Sequence, residues 1–473
     1  MRSPDCEAGP VQRSKRTPPW QGSSIRLTGN RRRVSNAADS FARRASLDTP
    51  AVVAFAELDH FVGFDWAEEK HDVVVVNREG KVRLTLTFPD TAAGWAELRE
   101  KLAPLGQLGV AIETRRGPAV ERLLEAGYAV FPMNPKAAER FRDRKAPSGV
   151  KDDTLDAWSF ADALRSDGHA WRPLRPEDPQ TQLLRMLCRD EIGLIEQRTA
   201  LVLQLRQALR EYYPAALEAF DDWTLPAAWE FVDRFPTPRA LAQAGLRRWQ
   251  KFMHIHRLYS PTSAEKRLEI FARATEFVSP SESVTTAKSL LAATIVKQLR
   301  VLEAQLKEYR RRIEQAFSAH PDRDIFGSLP GGGKKLAPRL LGEIGANRAV
   351  FESPESLQCY AGTAPVTKKS GKSCRVQVRR ACNKTLRATL HLWANESRRR
   401  CAWAQAYYQQ KKRQGARHAT ALRCLGQRWL KIVWRMWQNR MPYDEALHMR
   451  SLAKSGSWVL GLTPAAEPVV LPN

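Results

Sequence analysis

The sequence predicts an α/β domain followed by a mainly α-helical remainder, because two hydrophobic patterns succeed each other along its 473 residues. From Phe61 onward, short β-rich segments alternate with amphipathic helical segments. After Gly168, apolar residues instead recur at helical spacing over long stretches. A chain of this length exceeds what one hydrophobic core usually serves, so we expect two or three domains.

Three β-rich segments open the α/β region and are separated by short polar turns: 61–66 (FVGFDW), 72–76 (DVVVV) and 82–88 (VRLTLTF). The pattern then predicts, in order, a helix at 91–105, a strand at 108–112, a helix at about 118–125, a strand at 128–131 and a helix from Pro135. Three antiparallel strands followed by βαβα units give the order of an RNase H-like (RuvC-like) domain, in which helices flank a mixed sheet. We place this domain at 59–168.

Two heptad patterns of apolar residues follow the α/β region, and each would form the contact seam of one long helix. Glu191 and Arg198 are the polar residues on the first seam, and the second seam has no interruption. The seam residues are Leu184, Leu187, Leu194, Leu201, Leu205, Ala208 and Tyr212 in the first pattern, and Ile295, Leu299, Leu302, Leu306, Tyr309 and Ile313 in the second. We interpret them as two long helices that pair as an antiparallel coiled coil in a linker domain at 169–324, with 223–280 as a helical elaboration. An ordinary helical bundle is the alternative.

The charge of the chain points to a polyanionic partner. The formal net charge is +25 and the pI is near 10.1, and Glu396 is the only acidic residue between Val366 and Arg440. Nucleic acid is the leading candidate. A membrane span is not expected, because no run of about eighteen apolar residues occurs. The surplus charge concentrates in a mainly helical domain that we place at 325–449.

The remaining segments carry weaker signals. Residues 1–58 are rich in Arg, Ser and Pro, which favours a basic disordered arm, although an upstream start codon would explain them equally well. We expect 450–473 to be a flexible tail. The seven cysteines form no C-x-x-C pair, so neither a zinc site nor a disulfide framework is indicated. A reducing cytoplasm fits best.

Four acidic residues stand where the predicted fold would bring them together. Asp65 ends the first strand and Glu113 ends the fourth, and these strands are parallel neighbours in an RNase H-like sheet. Asp153 and Asp156 share a face of a helix predicted at 151–165. Converging carboxylates repel one another unless divalent cations lie between them, and oxygen ligands select Mg²⁺ or Mn²⁺. Asp152 competes with Asp153 as a ligand, and each acid alone is more often a cap or turn residue.

The basic domain contains two candidate DNA-handling segments. SLPGGGKK, at 328–335, resembles the hairpin of a helix-hairpin-helix motif, whose backbone amides approach a phosphate while Lys334 and Lys335 add charge. A loop further on holds Ser370, a candidate nucleophile that otherwise would be a turn residue. The cations around it that we expect to contact phosphates are Lys368, Lys369, Lys372, Arg375, Arg379, Arg380 and Lys384. We assign the nearby aromatics, Trp393, Trp403, Tyr407 and Tyr408, to packing.

Together these segments resemble the DEDD-type transposases of insertion-sequence family 110, relatives of the Piv pilin-gene invertases and of the bridge-RNA-guided recombinases. The resemblance covers about 61–449 and rests on GFDWAEEKHDV, AIETRRG, KDDTLDA, LPGGG, and YAGTAPVTKKSGK followed by RRACNKTLR. It implies that Asp65, Glu113, Asp153 and Asp156 are the four metal-binding acids and that Ser370 is the serine joined to DNA during strand exchange. It also implies a structured noncoding guide RNA, and an active site in which the acids of one protomer meet the serine of another. The pair of heptad-bearing helices suggests self-association, and a homodimer or tetramer would suit strand exchange.

Three functions are compatible with these residues. We favour a transposase or site-specific recombinase that cuts and rejoins DNA through a metal site and a serine. The second is a RuvC-like nuclease that resolves DNA junctions with water as the nucleophile. The third is a non-catalytic nucleic-acid-binding scaffold, in which the acids serve as caps and surface charge.

Overall fold

A computed structural model of the chain describes residues 53–145, 153–276, 281–371, 373–458 and 461. The chain divides into two compact units, Met1–Pro176 and Glu177–Asn473. The expected arm was 1–58, and its residues 1–52 lie outside the described residues. The expected tail was 450–473, and its residues 462–473 lie outside them as well. Among the helices that are described, none has the length and apolar character needed to cross a bilayer.

The first unit is built on a mixed five-stranded sheet with the order β3-β2-β1-β4-β5. β1 pairs antiparallel with β2, which pairs antiparallel with β3, whereas β4 is parallel to both β1 and β5. The strands are β1 His60–Asp65, β2 Lys70–Asn77, β3 Val82–Pro89, β4 Leu108–Ile112 and β5 Ala129–Pro132. The predicted mixed sheet, with an antiparallel meander followed by parallel strands, is confirmed, and its order is compatible with an RNase H-like fold.

Four α-helices cover the sheet: α1 Ala92–Leu102, α2 Pro118–Glu125, α3 Pro135–Lys145 and α4 Asp153–Asp167. The run of valines in β2, Val73 to Val76, is buried throughout because side chains on both faces of this strand are covered. α4 packs across β1 and β2. This close approach requires Gly63 in β1, since a Cβ atom there would lie 1.7 Å from the carbonyl oxygen of Ala157.

The first described residues belong to the packed unit, whereas the sequence placed them in the disordered arm. Phe55 begins a 3₁₀ turn, Phe55–Glu57, and its ring lies 5.6 Å from that of Phe61. Leu58 is fully buried. Arg78 donates hydrogen bonds to the carbonyl groups of Leu58 and Ala56. Apolar contact and these hydrogen bonds fix 53–58 onto the domain, so the arm as we expected it is too long.

The second unit is mainly helical. Its helices are α5 Pro179–Tyr212, α6 Pro214–Ala219, α7 Pro226–Arg234, α8 Pro238–Ile255, α9 Pro261–Ala272, α10 Glu282–Ser318, α11 Arg323–Gly327, α12 Gly333–Ile344, α13 Pro354–Tyr360, α14 Lys384–Ser397, α15 Ala402–Arg413, α16 His418–Gln438 and α17 Glu445–Lys454. A two-stranded sheet, β6 Val366–Ser370 and β7 Ser373–Gln377, lies between α13 and α14.

The long helices α5 and α10 pack side by side and run antiparallel. Ion pairs fix this direction: Glu191 with Arg310, Arg198 with Glu303, and Glu211 with Lys288. All the apolar residues predicted to form the two seams are buried or half-buried. The two polar seam positions are both neutralised across the helix pair. Coiled-coil packing itself stays a prediction.

Tryptophans form much of one hydrophobic core of the second unit. The side chains of Trp393, Trp403, Trp429 and Trp437 are fully buried. Tyr408 is also buried and Tyr407 is half-buried, so the assignment of the aromatics to packing is confirmed. α17 continues to Lys454 and buries Leu452, which means that the tail expected from residue 450 begins within a packed helix.

Candidate active site

The sheet register brings Asp65 and Glu113 to the same edge. Phe64 of β1 is the parallel partner of Ile112 in β4, so the next residue along each strand is one of the two acids. Both side chains are half-buried. Neighbouring strands lie about 4.8 Å apart, which leaves the carboxylates close to each other at the carboxyl ends of β1 and β4.

α4 supplies two further carboxylates. Asp153 is the first residue of this helix and is exposed, whereas Asp156, one turn later, is buried. Gly63, two residues before Asp65, meets the backbone of Ala157, the residue after Asp156, so the N-terminal turn of α4 lies near the end of β1. Asp152, the competing candidate ligand, lies outside the described residues.

The surroundings of Asp65 raise the pKa of its carboxyl group. Burial and the negative charges of Asp156, Asp153, Glu113 and Asp72 together raise the pKa of Asp65 from its ordinary value to about 7. A carboxyl group perturbed by several like charges is typical of sites that bind cations or transfer protons. The structure therefore gathers the three other predicted acids around Asp65.

Asp72 is a fifth carboxylate of this cluster and was not predicted from the sequence. It lies in β2 directly opposite Asp65, so the two side chains share a face of the sheet. Asp72 is buried and accepts a hydrogen bond from the hydroxyl of Thr87. The predicted β1–β2 meander contained the signal, because pairing 61–66 with 72–76 across a short turn places these two acids opposite each other.

Arg142 also belongs to the site and was not predicted. It extends from α3, and its Nε lies 2.8 Å from Oδ1 of Asp156. Its side chain is only 22% exposed. This guanidinium neutralises one of the four predicted acids in the described structure. No local sequence signal distinguishes Arg142 from the other cations of α3.

The donor set of the cluster suits a hard divalent cation, because each predicted ligand offers carboxylate oxygens alone. As the side chains stand, however, the described residues contain no group of three or more His, Cys, Asp or Glu residues arranged to hold a metal ion. Arg142 contacts Oδ1 of Asp156 in the ion pair that the structure shows, so the guanidinium lies directly beside the place where a cation held by this carboxylate would bind.

Ser370 lies in the second unit, at the end of an exposed β-hairpin. The sequence predicted a loop, but 366–370 and 373–377 pair as antiparallel strands. Ser370 is the partner of Ser373, and every residue of β6 and β7 except the half-buried Val366 is exposed. The strands were missed because a hairpin that is solvated on both faces lacks alternation of apolar and polar residues.

The hairpin separates the lysines that the sequence placed around Ser370. Lys368 pairs with Arg375, on the same face as Ser370, whereas Lys369 pairs with Cys374 on the opposite face. Lys369 therefore lies on the face opposite to Ser370, because alternate residues of a strand point to opposite faces. Lys372 lies outside the described residues.

A polar network around the buried Glu343 joins the two ends of the segment that carries the hairpin. Asn383, the N-cap of α14, donates one hydrogen bond to Glu343 and another to the hydroxyl of Tyr360, at the end of α13. Arg189 forms a bidentate pair with the same glutamate, at 2.6 and 2.8 Å. The network positions the base of the hairpin through residues that the sequence analysis did not single out.

The other predicted phosphate contacts are distributed over the surface of the second unit. Lys335, Arg380 and Lys384 are exposed. Arg379 is half-buried and donates to the carbonyl of Ala364 near the hairpin base. Lys334 is exposed but pairs with Glu314 at 2.6 Å, because the turn at 328–332 directs the start of α12 toward α10.

Comparison with known proteins places both site regions in transposase sequences. Residues 62–214 match the DEDD family model of IS110, which is described as a transposase. Residues 323–409 match the model described as the transposase IS116/IS110/IS902 family. The four predicted metal ligands lie in the first matched range, and Ser370 lies in the second.

Individual relatives match over most of their length. The chain is 34% identical over 397 residues to the IS117 mini-circle protein of Streptomyces coelicolor, which is named as a transposase, and this match covers 81% of the chain and 95% of that protein. It is 26% identical over 402 residues to the 44.8 kDa protein of insertion element IS116 from Streptomyces clavuligerus, covering 82% of the chain and 96% of the relative. The chain is also 26% identical over 396 residues to the 42 kDa protein of insertion element IS900 from Mycobacterium paratuberculosis. This match covers 82% of the chain and 97% of that protein.

Proposed function

The chain belongs to the IS116/IS110/IS902 family of transposases, and on that premise we propose that it cuts and rejoins DNA with the carboxylate cluster of its first unit and the Ser370 hydroxyl of its second. The observation that carries the proposal is the β1–β4 register together with the packing of α4 on β1, which gathers the predicted acids at one sheet edge.

Asp65, Glu113, Asp153 and Asp156 are the residues that would hold Mg²⁺ or Mn²⁺. A bound ion of this kind supplies positive charge that stabilises the oxygens of a reacting phosphodiester. The four side chains contribute the negative charge that attracts the cation. Burial of Asp65 and Asp156 within the unit keeps two of the ligands partly shielded from water, which strengthens that attraction.

Ser370 is the proposed nucleophile for strand cleavage. Its Oγ forms a bond to phosphorus while the bond from phosphorus to one sugar oxygen breaks, the serine proton passes to a base, and the leaving oxygen takes up a proton. Because one phosphoester bond replaces another, the product retains the capacity to rejoin. Attack by a sugar hydroxyl of a second strand then releases Ser370 and restores a continuous backbone.

The exposed position of Ser370 suits attack on a large substrate. A hydroxyl at the end of a solvated hairpin can meet a duplex without opening the fold around it. From the family resemblance, we propose that the acids of one protomer act with Ser370 of another, in a homodimer or tetramer. The resemblance also supports a structured noncoding RNA as guide, and the net charge of +25 suits binding of both RNA and DNA.

Cleavage assays on variants test the proposal. A plasmid that carries the encoding element with its flanking noncoding DNA would be supplied to cells with wild-type, D65N, S370A or S373A protein. We expect D65N and S370A to abolish both cleavage and recombination while DNA binding by the purified proteins is retained, and S373A to recombine. Cleavage by S370A without rejoining would instead indicate a nuclease that uses water, and full activity of D65N would exclude the carboxylate site.

A further inference from the structure

We propose that one face of the β6–β7 hairpin is a cradle for the phosphodiester that Ser370 attacks, with Lys368 and Arg375 as the residues that bind its non-bridging oxygens. The inference rests on the proposed role of Ser370 and extends it to specific binding partners. Lys369, although it is adjacent to Ser370 in sequence, is not part of this cradle.

The register of the hairpin defines the cradle. In an antiparallel pair, residues directly opposite each other share a face, and so do alternate residues along each strand. Ser370 and the opposed cations Lys368 and Arg375 therefore lie on one face of the hairpin. Lys368 lies two residues before Ser370, a separation of about 7 Å along the strand, which a lysine or arginine side chain can span.

The charges of this patch are not balanced by the protein. Lys368 and Arg375 are directly opposed, and like charges in that relation destabilise a hairpin. Neither side chain forms an ion pair among the described residues. The sole acidic residue between 366 and 440 is Glu396, which pairs with Arg399. An anion bound between the two cations would relieve this repulsion.

The surroundings of the hairpin favour a nucleic-acid backbone as that anion. An isolated two-stranded hairpin is marginally stable, and this one has no buried residue. Its cations are fully available to a duplex that approaches from solvent. A guanidinium and an ammonium opposite each other suit a phosphodiester, because the arginine binds two oxygens at once while the lysine acts as a point charge. Such contacts are independent of DNA sequence.

The opposite face provides a contrast within the same hairpin. Lys369 and Cys374 form a pair there, next to Thr367 and the exposed Val376. Lys369 is adjacent to Ser370 in sequence but lies across the sheet from its hydroxyl. It contributes to the general positive field of the unit, whereas the cradle requires a cation on the serine face.

Single-turnover measurements on purified full-length variants test the cradle. For K368A and R375A, we expect the rate of serine–DNA adduct formation on bound DNA to fall about 10- to 100-fold, because each loses one electrostatic contact to the reacting phosphate. DNA affinity should fall only a few-fold, since most phosphate contacts remain. K369A should change adduct formation by less than about threefold, and K368R should recover most of the rate. Circular dichroism would verify that each variant is folded.

The outcomes separate the cradle from the serine itself. Equal losses in K369A and K368A would overturn the cradle and indicate a general charge effect. Wild-type adduct rates in K368A and R375A, with S370A inactive, would also overturn it while leaving the proposed function intact. Adduct formation by S370A would remove the proposed function, and the cradle with it.

Discussion

The guanidinium of Arg142 and the carboxylate of Asp156 form an ion pair, with 2.8 Å between Nε and Oδ1, that links α3 to α4 beside the acidic cluster. The contact places a positive charge of the protein among at least four carboxylates. A divalent cation bound by Asp156 would add a second positive charge beside this guanidinium. Arg142 is therefore expected to affect both the stability of the metal-free protein and its response to metal.

Replacing Arg142 with Gln should lower the free energy of unfolding by about 1–3 kcal/mol in EDTA, because Asp156 loses its counter-ion while it stays buried. The increase in Tm produced by saturating MgCl₂ should be larger in R142Q than in the wild type. R140Q, which changes an exposed arginine of the same helix, is the matched control and should resemble the wild type. Equal magnesium responses in all three proteins would show that Asp156 does not take part in metal binding.

Asp65 should make the metal-free protein less stable as the pH rises. The folded-state pKa is about 7 against an ordinary 3.8, so the protonated form favours the folded state. The resulting stabilisation is present below about pH 4 and is lost as the pH rises through 7. D65N cannot ionise, and in EDTA it should exceed the wild type by about 1–2 kcal/mol at about pH 8, after allowance for partial solvent exposure. Urea unfolding of both proteins at about pH 4 and about pH 8 measures the difference in their free energies of unfolding. The same difference at both pH values would contradict the clustering of charge around Asp65.

Gly63 should tolerate no side chain. In G63A the new Cβ would meet the backbone of α4, at 1.7 Å from the carbonyl oxygen of Ala157, and would force the helix away from β1. We expect a loss of about 3 kcal/mol or more in stability, together with loss of the magnesium-induced Tm shift, because Asp153 and Asp156 move with α4. Chemical unfolding with and without MgCl₂ measures both effects.

Gly193 provides the control for that substitution. It lies within α5, and a Cβ atom there has open space. G193A should therefore stabilise the protein by up to about 1 kcal/mol through helix propensity. A comparable loss of stability in G63A and G193A would mean that tight packing of α4 on β1 is not the cause.

Glu343 should be essential for the hairpin base. E343Q removes the charge that pairs with Arg189 and should cost about 2–4 kcal/mol in unfolding free energy, below the largest values for buried pairs because Arg189 is 35% exposed. E355Q breaks an exposed ion pair with Lys431 and should have no measurable effect. Unfolding in guanidinium chloride measures the free energy of unfolding of both variants. Equal values for E343Q and E355Q would contradict a structural role for the network around Glu343.

Local patterns in the sequence predicted the first unit well. β4 at 108–112 and α2 at 118–125 were expected at the bounds observed, because a wholly apolar strand and a helix that begins at proline are both local signals. The parallel pairing of β1 with β4, and with it the approach of Asp65 to Glu113, followed from the order of the elements. Topology restricts such pairings strongly once the strands are known.

Contacts between distant segments could not be predicted in the same way. Arg142 is one of several cations in α3, and only the packing of α3 against α4 distinguishes it. The β6–β7 hairpin was expected as a loop because its exposed residues carry no alternation, and so the opposite orientations of Lys368 and Lys369 were hidden. Asn383 caps α14 through a local pattern, but its bond to Glu343 depends on tertiary structure.

Mass spectrometry of a trapped reaction intermediate tests the central claim most directly. Protein that has been arrested on cleaved DNA would be digested with nuclease and protease, and the modified peptide sequenced by fragmentation. We predict a phosphodiester-linked nucleotide on the Ser370 oxygen and an unmodified Ser373. Reactions that recombine DNA while Ser370 carries no adduct, or while Ser373 carries it, would contradict the mechanism.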